Sequence, residues 1–189
     1  MTSVEATPTM RNGINVDVMY GTLNAIKDNP TLAKFQFRAR NRWVAGTHNR
    51  SEIDEMYGAG QELERTKTFT VDAGEPAILL GNDEGPNPAE YLLHALAACL
   101  TVTLVNVASA RGVKLNSVES WLEGNADVQG ALGLDKEIRN GFQNVTVKFK
   151  IEADAPQEKI DEILSRAQAR SFVFDSLTQG VPVSVERVH

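Results

Sequence analysis

The only cysteine of this 189-residue chain, Cys99, lies in the middle of its most apolar stretch, NPAEYLLHALAACLTVTLVNVASARG, residues 87–112. A cysteine reacts through its thiolate, which needs a stabilising cation and access to a substrate. A buried cysteine that only packs would occur in the same kind of sequence. Residues one helical turn away, such as Leu96 and Thr103, carry no charge, so an activating group must come from elsewhere in the fold or from a partner chain. Cys99 is therefore either a reactive thiol or a packing residue.

Other chemistry-bearing residues are sparse. A single cysteine excludes an intramolecular disulfide and a zinc site built on cysteines. The three histidines, His48, His94 and His189, have no metal-ligand spacing. His94 precedes Cys99 by five residues, which places it about 140° away around a helix of about 3.6 residues per turn. We therefore predict no metal site and no cofactor, and we expect His94 to be a packing or interface residue.

The element that carries Cys99 has clear helix ends. Asn87 is a favourable N-cap, Pro88 suits the first helical position, and Glu90 occupies the capping-box position three residues after the cap. Arg111 complements the negative end of the helix and Gly112 is a typical stop. These signals predict one long helix between Asn87 and Gly112.

The flanking segments alternate apolar and polar residues as strands do. We expect a short N-terminal helix from Val16 that ends at Asn29-Pro30, then a meander of strands up to the loop GNDEGPNP. After the long helix we expect two strands, an amphipathic helix that begins near Asp154, and a final strand in GVPVSVERV. Segregated strands and helices predict an α+β fold with antiparallel sheets around a long buried central helix.

The long helix is apolar nearly all round, which means either a membrane span or a core covered by several layers. It is about as long as a span requires, but polar residues interrupt it and no basic flank marks a cytoplasmic side. Charged strands follow it, so we predict a covered core helix and no membrane partner. A chain this small cannot cover such a helix alone, which predicts a homodimer.

The charge of the chain argues against one class of function. The formal net charge is −6 and no basic cluster stands out, which argues against binding nucleic acid. The N-terminal residues lack a signal-peptide pattern, so we expect a cytoplasmic protein.

Several segments together resemble one family. GPNPAEYLLHALAACL, RGVKLNSVESWLEG, GFQNVTVKFKIEADAP and ARSFVFDSLTQGVPVSVE are similar to segments of the OsmC/Ohr proteins, the osmotically induced and organic-hydroperoxide-resistance group. The resemblance runs from about Phe35 to the C-terminus. It implies an intertwined α+β homodimer with central long helices, in which residues 33–189 form a single OsmC-like domain and residues 1–32 an N-terminal arm.

The resemblance also implies roles for individual residues. Cys99 occupies the position of the family's peroxidatic thiol, whose thiolate attacks a hydroperoxide and becomes a sulfenic acid. Ser171 stands where the family has the second cysteine, so an intramolecular disulfide cannot form. Arg50 is the best match to the arginine that holds the thiolate, and the competing positions in the same region are Arg38, Arg40 and Arg42.

The family's partner glutamate precedes the helix cysteine by ten residues, where this chain has Ala89. Glu90 is adjacent, but nine residues are about half a helical turn out of phase with Cys99. Its place in the capping box explains it without catalysis. Because it lies next to the family's position, Glu90 is still the candidate carboxylate, and Asp83 or Glu84 in the preceding loop are alternatives.

Together these features predict reduction of organic hydroperoxides by Cys99 with an external thiol. We expect Arg50 to stabilise the thiolate and the apolar helix to favour a small hydrophobic hydroperoxide. The alternative is a protein of the same fold that lacks peroxidase activity and binds a small apolar ligand at the dimer interface.

Overall fold

The computed structural model describes residues 8–188. Two compact units are present, one formed mainly by Asn15–Leu92 and the other by Met10–Ile14 together with the chain from Leu93 onward. The division into an arm at 1–32 and a domain at 33–189 stays a prediction, and residues 1–7 of that arm lie outside the described range. The combination of antiparallel sheets and one long helix is the predicted α+β architecture.

The first regular element in the described residues is a short paired hairpin, β1 (Met10–Arg11) and β2 (Ile14–Asn15). The predicted N-terminal helix follows as α1 (Val16–Asp28). The Asn15 side chain caps it by accepting the Val18 N–H, and it ends before Asn29-Pro30 as the sequence indicates. A single 3-10 turn covers Pro30–Ala33.

The first unit is a meander in which one strand lies at the centre. Its strands are β3 (Gln36–Phe37), β4 (Arg40–Ala45), β5 (His48–Gly58) and β6 (Gln61–Ala73). β5 pairs antiparallel with each of the other three. This register puts Arg50 directly opposite Asp72 of β6 and opposite Arg42 of β4. The strand predicted to continue beyond β6 is wrong at Ala77–Leu79, where a 3-10 turn follows Pro76, a residue that has no N–H for a sheet ladder.

The long helix, α2 (Pro88–Ala110), has the predicted ends. The Asn87 side chain accepts the Glu90 N–H at 2.9 Å, and the Glu90 carboxylate accepts the Asn87 N–H at 2.8 Å, which is a complete capping box. Gly112 ends the helix with a φ of +78°. The backbone bond from Val113 N–H to the Ala108 carbonyl, 2.9 Å, completes a Schellman motif.

The second unit packs helices on a two-stranded sheet. Its elements after α2 are β7 (Leu115–Asn125), α3 (Val128–Ala131), β8 (Asn144–Ala153), α4 (Gln157–Arg170) and α5 (Phe172–Gln179). β7 and β8 pair antiparallel along their whole length. The buried core joins α2 to α4 and consists of Leu104, Val107, Ala108, Val113, Ile163 and Ala167, with Phe149 and Ile151 of β8 packed against it.

The turn of the β1–β2 hairpin also belongs to this unit. The Asn12 amide donates to the Val113 carbonyl oxygen at 2.9 Å and to the Ser109 hydroxyl at 3.1 Å, and its oxygen accepts the Leu115 N–H at 2.9 Å. Arg11 donates to the Ser109 carbonyl oxygen at 3.0 Å. The turn therefore supplies hydrogen-bond partners for the polar groups at the corner between α2 and β7.

The predicted final strand is wrong. Residues 181–188 have no regular secondary structure, and the side chains of Val183 and Val185 are 79% and 94% exposed. Their alternating pattern is typical of a strand, but a strand needs a ladder partner, and none pairs with this segment within the described chain.

By length and composition alone, α2 could cross a membrane. One such helix is weak evidence, because core helices of soluble proteins pass the same test. Its buried residues are Leu96, Leu100, Leu104, Val107, Ala108 and Ser109. Val102, in contrast, is 61% exposed.

Candidate functional site

Cys99 lies near the middle of α2, in the second unit, and its side chain is partly accessible to solvent. Two donors from the start of α5 reach the sulfur. The Ser171 hydroxyl donates to Sγ at 3.2 Å, and the Val173 backbone N–H donates at 3.4 Å. The thiol is therefore neither an isolated packing residue nor fully enclosed.

The local sequence explains why these donors converge. Ser171 is both the C-cap of α4 and the N-cap of α5, and its hydroxyl oxygen accepts the Phe174 N–H at 3.3 Å. The first N–H groups of a helix have no partner within the helix and can bind an anion in front of it. Cys99 Sγ lies at this end of α5.

These contacts shift the acidity of the thiol. Burial raises the pKa of Cys99, but hydrogen bonding lowers it, with the largest effect from the Ser171 hydroxyl, smaller ones from the Val173 and Phe172 N–H groups, and the smallest from the Thr103 hydroxyl. The net result is a pKa below the ordinary value for cysteine. The donors are neutral groups, so the thiolate is favoured by hydrogen bonds and the dipoles at a helix N-terminus.

Arg50 lies in the first unit, within a small charged cluster. Its Nε donates to Asp72 Oδ1 at 2.7 Å, and His48 Nε2 lies 2.7 Å from the same oxygen. The Arg50 and His48 contacts hold the pKa of Asp72 below its usual value, and Asp72 raises that of Arg50. The Tyr91 hydroxyl donates to the Asp72 carbonyl oxygen at 2.6 Å, which fixes this part of β6.

The competing candidates have contacts of their own. Among the competing arginines, Arg38 forms an ion pair with Glu62 and Arg40 forms one with Asp54. Arg42 is the cross-strand register partner of Arg50. The alternative carboxylate Glu84 accepts from the Asn82 amide at 3.1 Å, which lowers its pKa. Glu90 closes the capping box of α2. In residues 8–188, no three His, Cys, Asp or Glu side chains come together as a metal site requires.

A family model described as OsmC-like protein matches residues 81–186, more than half of the 189-residue chain. The chain belongs to the OsmC-like family. The matched range holds α2 with Cys99 and α5 with Ser171. A comparison of the sequence with curated proteins found no significant match.

Solved structures show the same fold. An OsmC-like protein from Mycoplasma pneumoniae is 18% identical, with a TM-score of 0.56 over 77% of this chain and 89% of that one. An OsmC-like protein of unknown function from Vibrio cholerae is 12% identical, with a TM-score of 0.57 over 76% and 94%. The organic hydroperoxide resistance protein OsmC from Legionella pneumophila is 15% identical, with a TM-score of 0.50 over 76% and 91%. At these identities the likeness establishes the OsmC-like fold alone.

The structure thus joins two of the residues singled out in the sequence, Cys99 and Ser171, at hydrogen-bond distance. Arg50 and Glu90 lie in the first unit, and their roles toward the thiol stay predictions. Sequence reasoning missed the Val173 N–H as a donor and Asp72 as the partner of Arg50. The serine that precedes FVFD is a recognisable N-cap signal for α5, whereas the Asp72 contact depends on strand register.

Proposed function

We propose that this protein reduces organic hydroperoxides, with Cys99 as the nucleophile and an external thiol as the reductant. The observation that carries the proposal is the partly accessible Cys99 thiol at the N-terminus of α5, where two donors reach Sγ and lower its pKa. A thiolate stabilised in this way is the reacting form of cysteine. Membership of the OsmC-like family and the fold shared with a hydroperoxide resistance protein support the same reaction.

The proposed cycle balances without a second cysteine. The thiolate attacks the O–O bond, and ROOH plus one proton gives the alcohol ROH and a sulfenic acid on Cys99. An external thiol then condenses with the sulfenic acid to a mixed disulfide and releases water. A second external thiol attacks this disulfide, restores the Cys99 thiol and leaves as the oxidised disulfide. Since the chain has one cysteine, no other sulfur of the same chain can perform these steps.

Arg50 is the proposed cation that assists the thiolate, and Glu90 the proposed carboxylate. Arg50 already has its charge and orientation fixed by Asp72. The contact of Glu90 is the helix cap, which supports a structural role. Glu90→Gln separates the two roles, because glutamine also forms a capping box and only the charge is lost. Arg50→Met tests the cation in the same assay.

The proposed assembly is a homodimer in which a second copy covers α2. Its support is the apolar surface that α2 leaves accessible, including Val102, which is 61% exposed. Size-exclusion chromatography with light scattering would show twice the chain mass. A cytoplasmic location is proposed with it, since the cycle depends on a pool of reduced thiols.

The test is consumption of cumene hydroperoxide by the purified protein with dithiothreitol as the external thiol. Turnover should exceed that of Cys99→Ser and should be faster with cumene hydroperoxide than with hydrogen peroxide. A native protein that performs no better than Cys99→Ser would refute the proposal.

A second candidate function is the binding of a small apolar ligand without chemistry. It is favoured by a cavity of about 310 Å³ in the first unit, whose lining is mostly apolar and includes two polar residues, Asn49 and Ser51. The other lining residues are Ala39, Ile53, Val71, Ala73, Pro88 and Tyr91. Native mass spectrometry of the purified protein would show a co-purified ligand. A ligand that stays bound in a Cys99→Ser variant would support binding over catalysis, provided that cells with this variant keep their resistance to organic hydroperoxides.

A further inference from the structure

We propose that Ser171 is a positioning residue, which directs its hydroxyl proton at Cys99 Sγ and so holds the reacting thiolate in front of α5. The inference rests on the proposed function for its significance. Its geometric basis is independent of activity: Ser171 is 1% exposed and its Oγ lies 3.2 Å from Sγ.

The hydrogen bonds around Ser171 assign the direction of its proton. A hydroxyl has one proton and two lone pairs. The Phe174 N–H donates to Oγ at 3.3 Å and occupies a lone pair. The proton remains for Sγ, which as a thiolate can only accept. The nearby Thr103 hydroxyl donates to the Cys99 carbonyl oxygen at 2.7 Å, and its effect on the pKa of the thiol is smaller than that of Ser171. Ser171 is therefore the main side-chain donor to the sulfur.

Two helices fix the position of this hydroxyl. The Ser171 N–H donates to the Gln168 backbone carbonyl oxygen at the end of α4, at 3.2 Å. The Ser171 carbonyl oxygen accepts the Asp175 N–H of α5 at 3.0 Å. A donor held in this way loses little freedom when the thiolate forms, because it is already in place. The Val173 N–H, two residues on, reaches the same sulfur at 3.4 Å. Ser171 thus sets the direction of one donor and, as the cap, the placement of the other.

The experiment measures the pKa of the Cys99 thiol by pH-dependent alkylation with iodoacetamide. Ser171→Ala removes both the hydroxyl and the cap. Ser171→Gly removes the hydroxyl but retains a tolerated N-cap, since glycine is nearly as good there. Ser176→Ala is the matched control, because that hydroxyl lies on α5 and donates to the Phe172 carbonyl oxygen at 2.9 Å.

We expect Ser171→Gly to raise the Cys99 pKa, with a fall in alkylation rate at pH 7 of about tenfold, which is about one pKa unit. Ser171→Ala should raise it at least as much, because alanine also loses the cap that places the Val173 N–H. Ser176→Ala should leave it unchanged. A rise with alanine but none with glycine would mean that capping alone matters and would overturn the inference, as would no rise in either variant. If the alanine variant does not fold, the glycine variant decides.

The outcomes also separate this inference from the proposed function. Hydroperoxide consumption no faster than in Cys99→Ser would remove the peroxidase proposal, while the alkylation comparison would still test Ser171. Conversely, normal turnover with an unchanged thiol pKa in Ser171→Gly would overturn the positioning role and leave the reaction intact.

Discussion

Ser171→Cys should turn the one-cysteine site into a disulfide-forming pair. In the native chain, the sulfenic acid formed on Cys99 has no thiol of its own chain to react with, since the sequence holds a single cysteine. The variant places a second thiol where the Ser171 hydroxyl now contacts Sγ. After one equivalent of cumene hydroperoxide we expect loss of both thiols, release of the alcohol and one water, and an intramolecular disulfide.

The structure gives the size of the effect. Oγ lies 3.2 Å from Sγ, and an S–S bond is about 2.05 Å, so the two sulfurs need to approach by about 1 Å. Residues 99 and 171 are 72 positions apart. A bond that closes a loop of this length stabilises the folded chain by about 4 kcal/mol in the loop-entropy account, and strain from the approach lowers this value. The oxidised variant should therefore unfold at a clearly higher urea concentration than the reduced variant.

The assay combines thiol titration, intact mass and urea unfolding before and after hydroperoxide. Native protein under the same treatment is the control, and it should gain one oxygen on Cys99 without gaining stability. Cross-linked dimers in the variant, or a monomer that keeps a free thiol beside an oxidised Cys99, would refute the placement of the Ser171 side chain against Sγ.

Two further predictions concern stability. Asn12→Ala removes three hydrogen bonds at the corner between α2 and β7 and should lower the free energy of unfolding by about 3 kcal/mol in urea, at about 1 kcal/mol each. Asn116→Ala, which removes one exposed hydrogen bond, should lower the free energy of unfolding far less. Equal losses in the two variants would contradict the stabilising role of the Asn12 hydrogen bonds. Arg111 and Lys159 lower the pKa of Glu162 from 4.5 to about 2, so the carboxylate stabilises the fold above pH 4.5 and this stabilisation is lost as pH falls toward 2. Glu162→Gln should flatten the loss of thermal stability in that pH window, and an unchanged pH profile would contradict the ion pair that Glu162 forms with Arg111.

Local signals in the sequence were sufficient to predict the ends of the helix that carries Cys99. The capping box of Asn87 and Glu90 and the stop at Gly112 depend on residues within one turn of each helix end, so their chemistry can be read without tertiary structure. The helix-end signal at Asn29-Pro30 was sufficient for the same reason. The OsmC-like fold was predicted because motifs along most of the chain agreed with one family, which the family model confirms.

The composition of the site could not be predicted in the same way. Ser171 meets Cys99 across 72 residues, and Asp72 meets Arg50 through a strand register that no local pattern specifies. The prediction of a final strand was wrong because a local signal is present there without a long-range partner. Its alternating valines are a sound local signal, but a strand forms only where another strand offers its ladder, and the described chain offers none at residues 181–188.

The means of activating Cys99 bears on the substrate as well as on the thiol. An apolar surrounding normally raises the pKa of a cysteine and leaves it inert. Hydroxyl and backbone N–H donors favour the thiolate and carry no charge, so they add less desolvation cost to an apolar site than a buried arginine would. Ser171 and Val173 supply such donors at the end of α5. Neutral donors can therefore favour the thiolate among the apolar side chains of α2 before the proposed cation Arg50 adds to them, and this supports the proposed preference for organic hydroperoxides over hydrogen peroxide.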